Sequence, residues 1–143
     1  MPSTNLDNLV KINQLKNEPG DQTEFDGLIA SAKPRLADAK NKSLSLESRF
    51  DLTYNAAHSL SLAALRWNGY RSENRYMVFQ CVQHTLGMSA PKWRILEDAH
   101  RKRNNAEYSG IVDIQESVVK ALIEVTEEIL ALVSKLGKLK ARQ

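Results

Sequence analysis

The residues best equipped for chemistry in this chain sit together in "LEDAHRKRNNAEYSG", Leu96 to Gly110. His100, Arg103, Asn104, Glu107 and Tyr108 place an imidazole, a guanidinium, an amide, a carboxylate and a phenol close together. Arg offers a planar fork of donors that matches a phosphate, and His moves protons near neutral pH. The set could therefore take part in a site for an anionic ligand. Trp93, Leu96, His100, Arg103 and Glu107 follow one another at spacings of 3, 4, 3 and 4. At about 100° per residue they fall on one line of a helix, so an apolar stripe runs directly into polar groups. Arg103 and Glu107 are i,i+4 neighbours, as are Asn104 and Tyr108. Two readings stay open. In the first, the helix end leaves the core and its polar side chains are simply wet. In the second, the polar line is a site at the mouth of a bundle, because charge aligned with a core is costly unless partnered.

A second polar streak, Asp51, Tyr54, Asn55 and His58, runs along "FDLTYNAAHSLSLAALRWN". If the two streaks face each other, Asp51 pairs with Arg103 and an anion-binding cleft opens beside them. Asn55, His58 and Glu107 are then its binding or positioning residues. Other constellations carry less. Cys81 and His84 make a C-x-x-H, but a zinc ion needs two more ligands, and His58 and His100 belong to other helices. No metal and no cofactor is expected. Cys81 reads as a small apolar residue. The glycines do not cluster into a phosphate-cradling loop. Trp67, Trp93 and Tyr76 are too widely spaced to form a base-stacking platform together, and core packing accounts for the two tryptophans.

These residues have to be positioned by helices, since no segment shows the sustained period-2 alternation of a strand. One helix opens at Thr4 or Asn5 and stops before "NEPGD". A second spans about Thr23 to Lys42, capped by Thr23, with Pro34 either kinking or dividing it. The third, Ser45 to about Asn68, is the central one. It carries Leu46, Phe50, Ala57, Leu60, Ala64 and Trp67 on one stripe, further packing residues opposite, and a stop at Gly69. A fourth runs from about Glu73 to Leu86, closed by Gly87. The fifth starts after Ser89, with Pro91 in its first turn. The last begins near Asp113, and Val118, Leu122, Val125, Ile129, Leu132 and Leu136 keep a heptad spacing that suits an antiparallel bundle or a dimer seam.

A chain of 143 residues reads as a single helical domain. Residues 1–42 form an N-terminal helical arm and 45–140 the core bundle. The net charge of +3 permits an anionic partner without requiring one. A single cysteine excludes an intramolecular disulfide. No apolar run approaches the roughly 20 residues that span a bilayer. The first residues also lack the basic start and apolar block of a signal peptide. The expected location is the cytoplasm, away from membranes.

"FDLTYNAAHSLSLAALRWNGYR", then a short helix and "AHRKRNNAEYSG", resembles the HEPN superfamily (higher eukaryotes and prokaryotes nucleotide-binding domains), in particular small stand-alone bacterial members with a GYR…RKRNxxEY pattern. The likeness covers roughly Arg49 to Tyr108. It implies an all-α, up-and-down bundle of four or five helices, often a homodimer in which two polar sites line one cleft. Many members resemble metal-independent endoribonucleases of toxin–antitoxin or phage-defence modules. Their signature is an Arg, a polar residue and then a His a few positions on. Arg103-Asn104 matches the first half, but Tyr108 stands about where the His should be. With an unperturbed pKa of about 10, a tyrosine is a weak proton acceptor at neutral pH. His100, one turn before Arg103, would have to take that place. A different reading follows from the same likeness: a non-catalytic interaction protein that pairs with a nucleotidyltransferase or an antitoxin, Tyr108 being the acceptor of a nucleotide.

Overall fold

The computed structural model describes residues 4–110 and 114–139, with the side chains of residues 107–109 outside the described set. In chain order the elements are α1 (Thr4–Lys11), β1 (Lys16–Asn17), α2 (Gln22–Ala39), α3 (Leu46–Trp67), β2 (Tyr70–Arg71), α4 (Arg75–Gln80), α5 (Val82–Thr85), α6 (Ala90–Ser109) and α7 (Glu116–Ser134). The architecture is an all-α helical bundle with one minimal antiparallel ladder, in which Lys16 faces Arg71 and Asn17 faces Tyr70.

α3 is the axis. Ser45 caps it by accepting from Ser48 N, which satisfies one of the otherwise orphaned donors of the first turn. Its stripe residues Phe50, Thr53, Ala57, Leu60 and Ala64 are buried, and so are Tyr54 and Leu65 on its other side. A helix buried on two sides needs partners on both. α2 and α7 cover one side, and α4, α5 and α6 the other. The heptad read in α7 is used within this chain: Val119, Leu122, Ile123, Val125, Ile129 and Val133 are buried, while Val118, Leu132 and Leu136 flank them at the margin of the same core. The stripe is wider than a narrow a/d seam, as a helix packed into a globular core requires.

Several details differ from expectation. α2 is capped by Asp21, which accepts from Glu24 N, and Thr23 already lies inside it. Of the two outcomes expected at Pro34, division does not occur, because it stands on an exposed side where the carbonyl it leaves unbonded can meet water. The expected helix from Glu73 to Leu86 is two pieces that step at Cys81, where the i+3 bond from His84 N to Cys81 O appears. Of the stretch 1–42, expected as an arm, the described residues 4–42 pack into the bundle. α2 lies along α3 and puts Phe25, Ala32, Leu36 and Ala39 into the same core, and Leu6 and Leu15 close a smaller cluster with Leu65, Tyr70, Val78 and Cys81.

The "GYR" segment has a structural task. Gly69 adopts φ +89°, open to glycine without a Cβ penalty, and turns the chain from α3 into β2. Arg66, buried at the end of α3, donates there from Nε to Glu24, from Nη1 to the carbonyls of Glu18 and Tyr70 and from Nη2 to the Pro19 carbonyl, and Nη2 also forms an ion pair with the Glu18 carboxylate. Arg71 pairs with the same two carboxylates. Gly20 is required for closeness rather than for torsion, since a Cβ there would lie 2.7 Å from the Arg66 carbonyl oxygen. This knot fixes β2, and Asn74 then caps α4 by accepting from Met77 N. Arg75 enters the bundle from that cap.

Candidate functional site

Tyr54 is the floor of the site. It is fully buried in α3 and stacks within the aromatic group of Phe50 and Phe79. The Arg103 guanidinium carbon from α6 lies 4.6 Å from its ring centroid, and that of Arg75 from α4 lies 5.7 Å from it. An aromatic face attracts a cation through its quadrupole. Two guanidiniums on one ring nevertheless repel each other, so an anion between them is favoured. Tyr54, Arg75, Arg103 and Asn104 line a cavity of about 180 Å³. Arg75 Nη1 is buried there and has no hydrogen-bond partner among the described residues.

His100 is held between two groups. Its Nδ1 lies 2.9 Å from the Tyr54 hydroxyl and its Nε2 lies 3.2 Å from Asn104 Nδ2. An amide nitrogen only donates, so in this orientation Nε2 accepts and the neutral ring carries its proton on Nδ1, donating it to the Tyr54 oxygen. Rotating the Asn104 amide by half a turn would present its carbonyl instead and suit a protonated imidazole. His58, one turn beyond Tyr54 on α3, meets Phe79 edge-on at 5.9 Å. Burial first, then the positive charge of Arg75 and Arg103, and of His100 when it is protonated, takes its pKa from the ordinary 6.5 down to about 4. His58 is therefore neutral at pH 7 and adds no charge to the pocket.

No family model, curated protein or solved structure matches this chain. The site therefore rests on its own geometry. The structure brings together His100, Arg103, Asn104 and His58, as the two facing streaks require. It does not bring in Asp51, which is exposed on the outer side of α3 and makes no ion pair among the described residues. The group under Arg103 is Tyr54, three residues further along α3, because the inward side of that helix meets α6 and the Asp51 side meets water. Asn55 is turned back on its own helix, donating to the Asp51 carbonyl at 2.9 Å. Glu107 and Tyr108 belong to the last turn of α6, but their side chains lie outside the described residues.

Two members went unselected in the sequence. Tyr54 stood in the polar streak without a role, and Arg75 was not singled out. The signal for Tyr54 was its i,i+4 relation to His58 in a helix with two packing sides. For Arg75 no local signal exists, since its partner ring comes from a residue 21 positions earlier in the chain. Cys81 is buried as expected, and desolvation pushes its thiol up to about 12. It is not a nucleophile here.

Proposed function

We propose that this chain binds the phosphate of RNA or of a nucleotide in the pocket of Tyr54, Arg75, Arg103 and Asn104. One observation carries the reading: two guanidiniums from different helices converge on one buried ring, with Arg75 Nη1 sequestered beside the cavity and lacking an acceptor among the described residues. A buried donor without a partner costs roughly 1–3 kcal/mol, more when charged, and a phosphate oxygen supplies the missing acceptor. Packing on Tyr54 also holds the forks in place before the ligand arrives, which lowers the ordering cost of binding.

The resemblance of "GYR" and "RKRNNAEY" to the HEPN superfamily supports RNA as the source of that phosphate. It also supports a cytoplasmic homodimer with two pockets along one cleft, within a toxin–antitoxin or phage-defence module. In the enzymatic form, a metal-independent endoribonuclease, Arg75 and Arg103 hold the scissile phosphate. The Asn104 amide turns from His100 to a phosphate oxygen. That frees the Nε2 lone pair to take the proton of a ribose 2′-OH, and Tyr108 is the remaining proton carrier. The engagement of both His100 nitrogens favours a second reading, binding without cleavage, in which a nucleotidyltransferase or antitoxin is the partner.

Anisotropy titration of labelled single-stranded RNA, run beside a cleavage gel with a chelator present, tests both. Arg75→Ala and Arg103→Ala each weaken binding about 10-fold or more, and raising salt weakens the wild type. Thermal stability stays nearly unchanged in Arg103→Ala. Wild-type RNA binding no tighter than that of either variant overturns the proposal. Cleavage lost in Arg103→Ala supports the enzyme, and binding without cleavage supports the second reading.

A further inference from the structure

Tyr76 follows Arg75 directly and is left 42% exposed. Ile12 and Leu44, the other large exposed apolar side chains among the described residues, lie in the connections after α1 and before α3. A lone exposed ring is ordinary on a protein surface. The place of this one is not. Its centroid lies 6.1 Å from that of His100, whose ring in turn lies 6.3 Å from Tyr54, the pocket floor. The His100 ring thus links Tyr76 to the pocket floor, and consecutive residues of α4 supply a phosphate ligand and an aromatic face.

We infer that Tyr76 stacks the base of a nucleotide whose phosphate occupies the Arg75–Arg103 pocket, so that the ligand is an unpaired nucleotide unit. The inference rests on the phosphate reading above and adds the base to it. A tyrosine face takes any base, since every base has a π-face. The base must be unstacked to offer it, which selects single strands, loops and free nucleotides over duplexes. Tyr76 acts alone here, so the wide spacing of Trp67, Trp93 and Tyr76 is no obstacle. What matters is one exposed ring beside His100, next in the chain to Arg75.

Calorimetric titration of the full chain with inorganic phosphate, ribose 5-phosphate and adenosine 5′-monophosphate tests this. The wild type binds adenosine 5′-monophosphate about 5- to 100-fold tighter than ribose 5-phosphate. Tyr76→Ala erases that margin and leaves the other two affinities unchanged. Tyr76→Phe keeps it, because the ring face and not the hydroxyl does the stacking. Equal wild-type affinity for the nucleotide and the sugar phosphate overturns the role of Tyr76 and leaves the phosphate pocket standing. So does a uniform loss for all three probes in Tyr76→Ala, which marks a structural residue. Failure of all three to bind the wild type removes the phosphate reading itself, and this inference with it.

Discussion

At the scale of single residues, Tyr54 and His58 show how one turn of helix divides the labour of a site. Tyr54 fills core volume with its ring, seats two guanidiniums on its face and orients His100 with its hydroxyl. His58 stays neutral beside the same cations, and this has a cost in acid. The unfolded chain takes up a proton on this residue below its ordinary 6.5, whereas the native state refuses it until about 4. Between those values the unfolded state binds more protons, so stability present above pH 6.5 is withdrawn as the pH falls. The free energy of unfolding at pH 5 is expected to be lower than at pH 7 by on the order of 2 kcal/mol. Urea titrations at the two pH values measure it, and His58→Gln flattens the dependence. A variant with the wild-type slope would falsify the assignment. Glu18, held low chiefly by its hydrogen bond to Arg71, weakens the fold only below its ordinary 4.5. So does Glu24, where burial pushes upward but the bonds from Arg66 and Arg71 prevail. The two windows are therefore separable.

At the scale of elements, the site depends on how β2 is anchored, because Arg75 and Tyr76 start the helix that follows it. Arg66 ties the end of α3 to Glu18 and Pro19 before α2, to Glu24 in its first turn and to Tyr70 of β2, through two carboxylates and three carbonyls. Its side chain is only 3% exposed, so removing it leaves three buried or half-buried carbonyls without their donor and the Glu18 and Glu24 carboxylates with Arg71 alone. Arg66→Ala is expected to cost roughly 3–5 kcal/mol, read from the shift of the urea midpoint at constant slope. Lysine does not restore it, since one ammonium cannot reach acceptors arranged around a planar fork. A loss under about 1 kcal/mol would show that water replaces the guanidinium without strain. The role of "GYR" is then architectural: it delivers α4 to the pocket rather than contacting a ligand.

At the scale of the whole molecule, α3 joins the two apolar clusters, contributing Leu60 to one and Leu65 to the other. With 143 residues and a shared axis, the chain is expected to unfold in one cooperative transition. Trp67 donates to the Gly137 carbonyl near the end of α7, while Trp93 sits in the first turn of α6. Their fluorescence therefore reports on two different helices of the bundle, α3 and α6. Fluorescence and far-ultraviolet dichroism should give coincident denaturation curves. Two separated midpoints would mean that the α1 cluster, or the α4–α6 wall of the site, opens as its own unit. Among the described residues no helix is long and apolar enough to cross a membrane.

The amino-acid order alone determined the helices and their inward faces. Apolar spacing, the Ser45 cap and glycines at positions 69 and 87 act within a turn or two of themselves, and the all-α bundle and the central place of α3 follow from them. It also marked His100, Arg103 and Asn104 as a polar line running on from a packing stripe. Tertiary structure alone decided what that line faces. Which residue of α3 lies under Arg103 depends on the rotation of two helices about their own axes, and about 100° per residue separates Asp51, in water, from inward-facing neighbours. The pairing of Arg75 with Tyr54, the short β1–β2 ladder and the carboxylates around Arg66 join residues far apart in the chain. No periodicity records such contacts, because their energy comes from groups that meet only after the helices have packed.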